Sequence, residues 1–205
     1  MAREAQTIRS TRTRAALRRA ALSRFTTQGV EATSVEDIAA DAGVTVRTFY
    51  RHFATKHDLL FADYDAGLHW FRAALASRPP EEPVIESVQA AIFAFPQDID
   101  AISQMTQMAA LRVEQLDHDR IVGHLRGVEA DFARAVADHL TRRQGPATID
   151  EHLAVAVTAR TLAAATFAAM ETWMVHGERT MAELARLCHL ALDQLAPSLR
   201  PGAAI

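Results

Sequence analysis

Lysine is almost missing from this chain. Lys56 is the only one among 22 basic residues in a sequence of 205. Cys188 is the single cysteine, so no disulfide can form within the chain, and its apolar surroundings, Leu184–Leu195, read as those of a buried small hydrophobe. The eight glycines fall mostly at expected helix ends and leave little for phosphate-cradling loops. No His-Glu-x-x-His, Gly-x-Ser-x-Gly or glycine-rich phosphate motif occurs. His118 and His124 are six apart and do not share a helical face. These absences predict no enzyme, with no catalytic residue, metal or cofactor. The longest apolar run, Leu162–Met170, is closed by Glu171, well short of the roughly 20 residues a membrane span needs. The Arg- and Thr-rich start has no apolar core of a secretory signal. A cytoplasmic protein without a membrane partner is expected.

What is present is helical periodicity and an uneven charge. Net charge is −3 overall. Residues 1–56 hold ten basic against five acidic residues, and residues 57–205 hold twelve against twenty. A basic module on an acidic body is the asymmetry of a phosphate-binding domain joined to something else. With 49% apolar residues a substantial core is possible, and no strand-period segment or internal repeat is visible. The predicted fold is all-α, with about nine helices in two domains. Residues 10–55 are expected to form a three-helix N-terminal domain and 56–197 a helical body, with 1–9 and 198–205 as flexible ends. The first helix runs from near Ser10 to Gln28 and is ended by Gly29. A long fourth helix opens at Lys56. The linker Arg78-Pro79-Pro80-Glu81-Glu82-Pro83 precedes a fifth helix stopping at Pro96, a sixth over about 98–114, and a seventh over about 120–143. The eighth spans about 149–175 and the ninth about 180–195.

Residues 33–61 carry the sharpest pattern. Ser34 is an N-cap, and Val35, Ile38, Ala39 and Ala42 form one apolar face. Gly43 supplies a positive-φ turn, and Thr45 caps a short second helix. Phe49 and Phe53 point inward together, and Val46, Arg47 and Tyr50 point away. A helix, a glycine turn and a short helix with a polar outer face make a helix-turn-helix, whose second helix fits the DNA major groove. Thr33 and Ser34, at a helix N-terminus, suit a phosphate. Lys56 opens a helix where a cation opposes the dipole, which points it toward phosphate instead. Arg47 has the reach for a bidentate contact to guanine, Thr45 and Thr48 for base edges or phosphate, and Val46 for a thymine methyl. Which of these four reads bases is left open by the residues, and Arg47 serves equally well as a phosphate clamp.

The run Thr33-Ser34-Val35-x-x-Ile38-Ala39-x-x-Ala42-Gly43-Val44-x-x-x-Thr48-Phe49-Tyr50-x-x-Phe53-x-x-Lys56-x-x-Leu59-Leu60 resembles the N-terminal domain of TetR-family transcriptional regulators. The likeness extends upstream through Ala20, Phe25, Gln28 and Gly29 and covers the first third of the chain. It implies a sequence-specific regulator, by base rate a repressor, that binds a palindromic double-stranded operator as a dimer and is released by a small-molecule effector. It implies phosphate contacts for Tyr50, His52 and Lys56. The eighth helix is apolar nearly all round and must be covered on several sides, by its own body or by a twin. The resemblance favours the twin, giving a homodimer through the eighth and ninth helices. The body's bulky residues Trp70, Phe71, Phe93, Met105, Met108, Leu111, Phe132, Phe167, Met170 and Trp173 are candidate lining for an apolar effector cavity. Arg112, Arg126, Arg160 and His124 are candidate anchors for an anionic ligand end. Ala54-Thr55-Lys56, Asp63-Tyr64-Asp65, the proline-rich linker and Trp173 also resemble regulators that sense acyl-CoA, so the expected ligand is apolar or amphipathic and acyl-CoA-like.

Overall fold

The computed structural model describes residues 2–94, 99–142 and 145–197. Among these residues the regular structure is helical, with no strand, as the all-α reading expects. The elements are α1 Ala2–Gln28, α2 Val35–Asp41, α3 Val46–His52, a 3-10 turn Lys56–Phe61, α4 Ala62–Ser77, α5 Val84–Phe93, α6 Ile99–Gln115, α7 His118–Leu140, α8 Ile149–His176 and α9 Met181–Asp193. The expected helix stop at Pro96 and the flexible end 198–205 lie outside the described residues, and α7 ends at Leu140, short of the expected Arg143.

Two starts differ from expectation. α1 begins at Ala2 and not near Ser10, because nothing between Ala2 and Gly29 breaks a helix. Gly29, at φ +84, then ends it. The fourth helix does not open as an α-helix at Lys56. The Asp58 carboxylate accepts the backbone N–H of Ala54 at 2.9 Å and of Thr55 at 3.0 Å, and the Thr55 hydroxyl donates to it at 2.9 Å. The Asp58 N–H in turn bonds Thr55 O, an i→i+3 contact that winds the opening as a tight 3-10 turn.

Contacts divide the chain into two compact units, one of residues 1–63 with 103–117 and one of 64–102 with 118–205. The sequence reading drew its boundary after residue 55. The contacts carry the first unit on to Asp63 and add most of α6 to it. In that unit Leu17, Ala21, Phe25, Ile38, Phe49, Leu59, Leu60 and Met108 are buried. Each large apolar side chain so buried contributes roughly 1.5–3 kcal/mol before entropy is counted. In the second unit α8 packs against both α7 and α9, and α5 against α9. The rings of Phe71 and Phe132 stack at 3.9 Å, and Phe167 meets Phe132 edge-on at 5.8 Å. Trp173 donates its indole N–H to Thr180 O at 2.9 Å, tying the end of α8 to the start of α9. Gly177 is required in that turn, since a Cβ there would lie 2.6 Å from Trp173 O. α8 is long and apolar enough, by length and composition, to cross a membrane. The core helix of a bundle meets the same test, and its packing between α7 and α9 gives it that role.

Candidate nucleic-acid interface

The interface is built from two short helices and the contacts that hold them. Ser34 caps α2, its hydroxyl accepting the Asp37 N–H at 3.0 Å and donating to the Asp37 carboxylate at 2.6 Å. α2 ends in a Schellman turn. Val44 N–H bonds Ala39 O at 2.9 Å, Gly43 N–H bonds Ala40 O at 3.0 Å, and Gly43 sits at φ +66. Thr45 then caps α3, accepting the Thr48 N–H at 3.2 Å. Phe49 is fully buried and meets the edge of Tyr50 at 5.4 Å and the Phe53 ring at 5.9 Å. That burial fixes which face of α3 turns outward.

Charged links brace the pair. Arg24 on α1 makes a bidentate contact to Asp41 at 2.6 and 2.9 Å, at the end of α2. The Arg24 guanidinium holds the Asp41 carboxyl below the usual carboxylate range, and the Ser34 hydroxyl, helped by Arg24, does the same for Asp37. Arg14, also on α1, donates to His52 O at 3.5 Å and lies over the Phe53 ring at 4.8 Å, closing the C-terminal end of α3. Its spacing carries no sign that it reaches α3.

The outward face of α3 presents Arg47, Tyr50 and Arg51, with Thr45 exposed at its cap and Val46 and Thr48 half-buried. Tyr50 is 55% exposed. Arg47 and Arg51 have no ion-pair partner among the described residues, so α3 offers two uncommitted guanidinium groups to solvent. Three candidate contacts are placed differently. Thr33 is 1% exposed and its hydroxyl donates to Gly29 O at 2.7 Å, so that hydroxyl is committed inside the fold. His52 has its Nε2 buried without a hydrogen-bond partner, which turns that nitrogen away from any phosphate. Burial, with Arg51 and Arg14 beside it, holds the His52 imidazole below its ordinary value. Lys56 donates to Glu31 O at 3.0 Å and Thr33 O at 3.1 Å, with the Glu31 carboxylate 3.8 Å away. Its ammonium joins the 3-10 turn to the loop before α2, a structural task the sequence did not signal.

Comparison with known proteins decides the family. The N-terminal model of the bacterial regulatory proteins of the tetR family matches residues 17–62, and the MftR C-terminal domain model matches residues 82–200. The HTH-type transcriptional regulator TcmR of Streptomyces glaucescens is 30% identical over 202 residues, covering 94% of this chain and 88% of TcmR. The chain belongs to the TetR family. It is thus a transcriptional regulator with a DNA-binding helix-turn-helix, in a family of regulators and not of enzymes. MftR of Mycobacterium tuberculosis is 25% identical over 130 residues, 63% of this chain and 65% of that protein. The crystal structure of Thermus thermophilus FadR, a TetR-family repressor in complex with lauroyl-CoA, shares the fold. Its TM-score is 0.55 at 21% identity, over 94% of this chain and 98% of FadR.

The residues expected to line a TetR-type effector cavity are distributed over both units. Met105, Met108 and Leu111 belong to the first, the other seven to the second. Phe71, Phe132 and Phe167 are brought together, ring against ring. Trp173 is buried in the α8–α9 turn, Met170 is half-buried, Phe93 stacks on His189 at 4.7 Å, and Trp70 stands 47% exposed. A groove of about 600 Å³ lies between α7 and α8. None of those ten residues lines it. Its floor is alanine, at 130, 133, 137, 156, 159 and 164, and its rim carries Arg126, Glu129, Arg134 and Arg160. Two of the four expected ligand anchors, Arg126 and Arg160, therefore meet there. Arg112 does not. It is buried in the first unit in an ion pair with Asp63 and cannot anchor a ligand without breaking that pair.

Proposed function

We propose that this TetR-family regulator is a cytoplasmic, homodimeric repressor that binds a palindromic double-stranded operator and leaves it when a small effector binds the body. The observation that carries the DNA reading is the outward face of α3, where Arg47 and Arg51 stand exposed and unpaired among the described residues beside an exposed Tyr50. Arg47 is the base reader in this proposal, with Val46 and Thr48 beside it. Ser34, Thr45 and Tyr50 contact phosphates, and Lys56, Thr33 and His52 hold the reading helices in place.

Two-fold pairing is supported by α8. Ile149, Leu153 and Val157 recur at four-residue spacing and are 83%, 62% and 54% exposed, and Leu190 on α9 is 50% exposed. Large apolar side chains left in water along one stripe are what a second copy covers. The two reading helices then meet half-sites about 34–36 Å apart or a multiple of that.

The effector is an apolar or amphipathic molecule, acyl-CoA-like in its chemistry. Support comes from the body's phenyl cluster, from Arg126 and Arg160 on one groove, and from lauroyl-CoA in the FadR complex. A fluorescence-anisotropy titration of full-length protein on promoter DNA of its own or the adjacent gene tests the reading. Binding should be tighter than on scrambled DNA, fall steeply with salt and weaken on adding a long-chain acyl-CoA. Binding that ignores both sequence and salt would remove the regulator reading.

A further inference from the structure

α6 brings a guanidinium into the interior of the first unit, outside the helix-turn-helix. Arg112 is 1% exposed and heads the fully buried side chains by size. Its Nε donates to Leu60 O at 2.6 Å, a terminal nitrogen pairs with the Asp63 carboxylate, and its guanidinium carbon lies 5.4 Å from the centre of the Phe61 ring. One side chain thus grips the 3-10 turn and the first residues of α4. The same turn opens with Lys56, whose ammonium holds Glu31 O and Thr33 O directly before the Ser34 cap of α2. α6 also reaches α1, with Gln104 accepting from Arg18 at 3.1 Å. A side chain at Gly29 would meet Gln115 Oε1 at 3.8 Å.

We infer that Arg112 is a positioning residue for DNA recognition: paired with Asp63 and Leu60 O, it sets the 3-10 turn and, through Lys56, the start of α2. The inference rests on the DNA-binding reading above. Its physical ground is the choice of chemistry. A buried ion pair adds little net stability over a well-packed apolar pair of the same volume. What a planar guanidinium adds is direction, because two of its N–H groups meet two fixed acceptors at set distances. An apolar contact would let the turn slide along α6, and this one does not. Buried as it is, Arg112 is out of reach of nucleic acid and acts through the turn.

The test uses the full-length protein and a DNA duplex enriched by the wild type from a random-sequence pool. Arg112→Lys keeps a cation opposite Asp63 but loses the fork to Leu60 O. It should bind the duplex about tenfold more weakly, with the salt dependence unchanged because no phosphate contact is lost. Amide hydrogen exchange should quicken in residues 29–34 and 56–61. The pair Arg112→Met with Asp63→Leu replaces both charges by apolar groups and guards against a variant that merely fails to fold. Its urea midpoint should return toward the wild type while DNA affinity stays reduced. If affinity recovers together with the midpoint, the pair only holds the fold and the inference is wrong. Wild-type affinity and exchange in Arg112→Lys would overturn it as well. If the wild type enriches no duplex, the DNA-binding reading itself fails and the inference falls with it.

Discussion

In the first unit, charged and hydroxyl groups join one element to the next. Arg24 reaches Asp41, Lys56 holds the loop before α2, Arg14 closes α3, and Arg112 grips Asp63. In the second, α4, α7 and α8 meet through Phe71, Phe132 and Phe167, and α8 is rich in alanine between Ala154 and Ala169. The difference matches what each unit has to do. Polar links are satisfied at one distance and one direction, so they keep a reading helix in register while its outer face stays in water. Ring contacts and alanine surfaces hold without direction, and the second unit's polar link from Arg142 to Ala76 O sits at the helix ends, away from the phenyl cluster. On the proposed function, the second kind of unit suits a ligand-admitting body, and the first kind suits a domain whose reading helix must keep one position.

The largest effects should show how far that contrast goes. Phe132→Ala removes the middle ring of the cluster and should cost roughly 3–5 kcal/mol of stability by urea denaturation. Arg112→Met leaves the Asp63 carboxylate buried and alone, and should cost a comparable amount, about 3–5 kcal/mol. The two should part on DNA, in conditions where both variants are folded. Phe132→Ala should keep its operator affinity and Arg112→Met should lose it. Equal losses of affinity would erase the distinction between the units.

Contacts with DNA come next. Arg47→Ala should cost about 1–3 kcal/mol on the cognate site and little on scrambled DNA, with the melting temperature unmoved. Lys56→Ala should behave oppositely: lower stability, weaker binding to all sequences, and a salt slope like the wild type's. A salt slope reduced by about one in Lys56→Ala would mean that its ammonium leaves the loop carbonyls for a phosphate in the complex. The N-caps follow, with Thr45→Ala expected to cost about 0.5–2 kcal/mol through the loss of the bond to Thr48 N–H. Thermal unfolding beside an exposed-site control such as Ser23→Ala would measure it.

The helix-turn-helix was legible because its signals are local. Ser34, Gly43, Thr45 and Phe49 each act within a few residues of themselves, and the structure puts them to the expected uses. The 3-10 start at Lys56 was less so, because Thr55 and Asp58 also spell an ordinary capped α-helix. Roles that depend on partners far along the chain were not legible. Arg14 and His52 are 38 positions apart, Lys56 and Thr33 are 23, and Arg112 and Asp63 are 49. Nothing in the composition around Arg112 separates a buried clamp from a surface arginine or a ligand anchor. The groove between α7 and α8 was missed for another reason. Its lining is alanine, and a search for bulky cavity residues passes over the positions where small ones leave the space.

The smallest expected effect is on pH dependence, and it too compares the units. His139, on α7, is buried beside Arg142, which donates to the α4 carbonyl of Ala76 at 2.6 Å and to Arg78 O at 2.9 Å just beyond. Burial first, then the Arg142 charge, hold the His139 imidazole below its ordinary value near 6.5, with Leu75 and Glu82 opposing weakly. His52 in the first unit is lowered in the same direction, by burial and by Arg51 and Arg14. The unfolded chain binds these protons more readily than the folded one. Stability is therefore fully present above about pH 6.5 and is lost as the pH falls below it toward the lowered folded values. The urea midpoint should drop between pH 7.5 and 5.5, a window well above the Glu82 carboxyl, which Arg78 and Ser87 hold at about 2. His139→Gln should flatten that slope more than His52→Gln, because His139 is the more buried and its protonation would push directly on the arginine that caps α4. A midpoint that rises on acidification would show that neither imidazole is held neutral, and a larger flattening by His52→Gln would place the pH-sensitive joint in the DNA-binding unit.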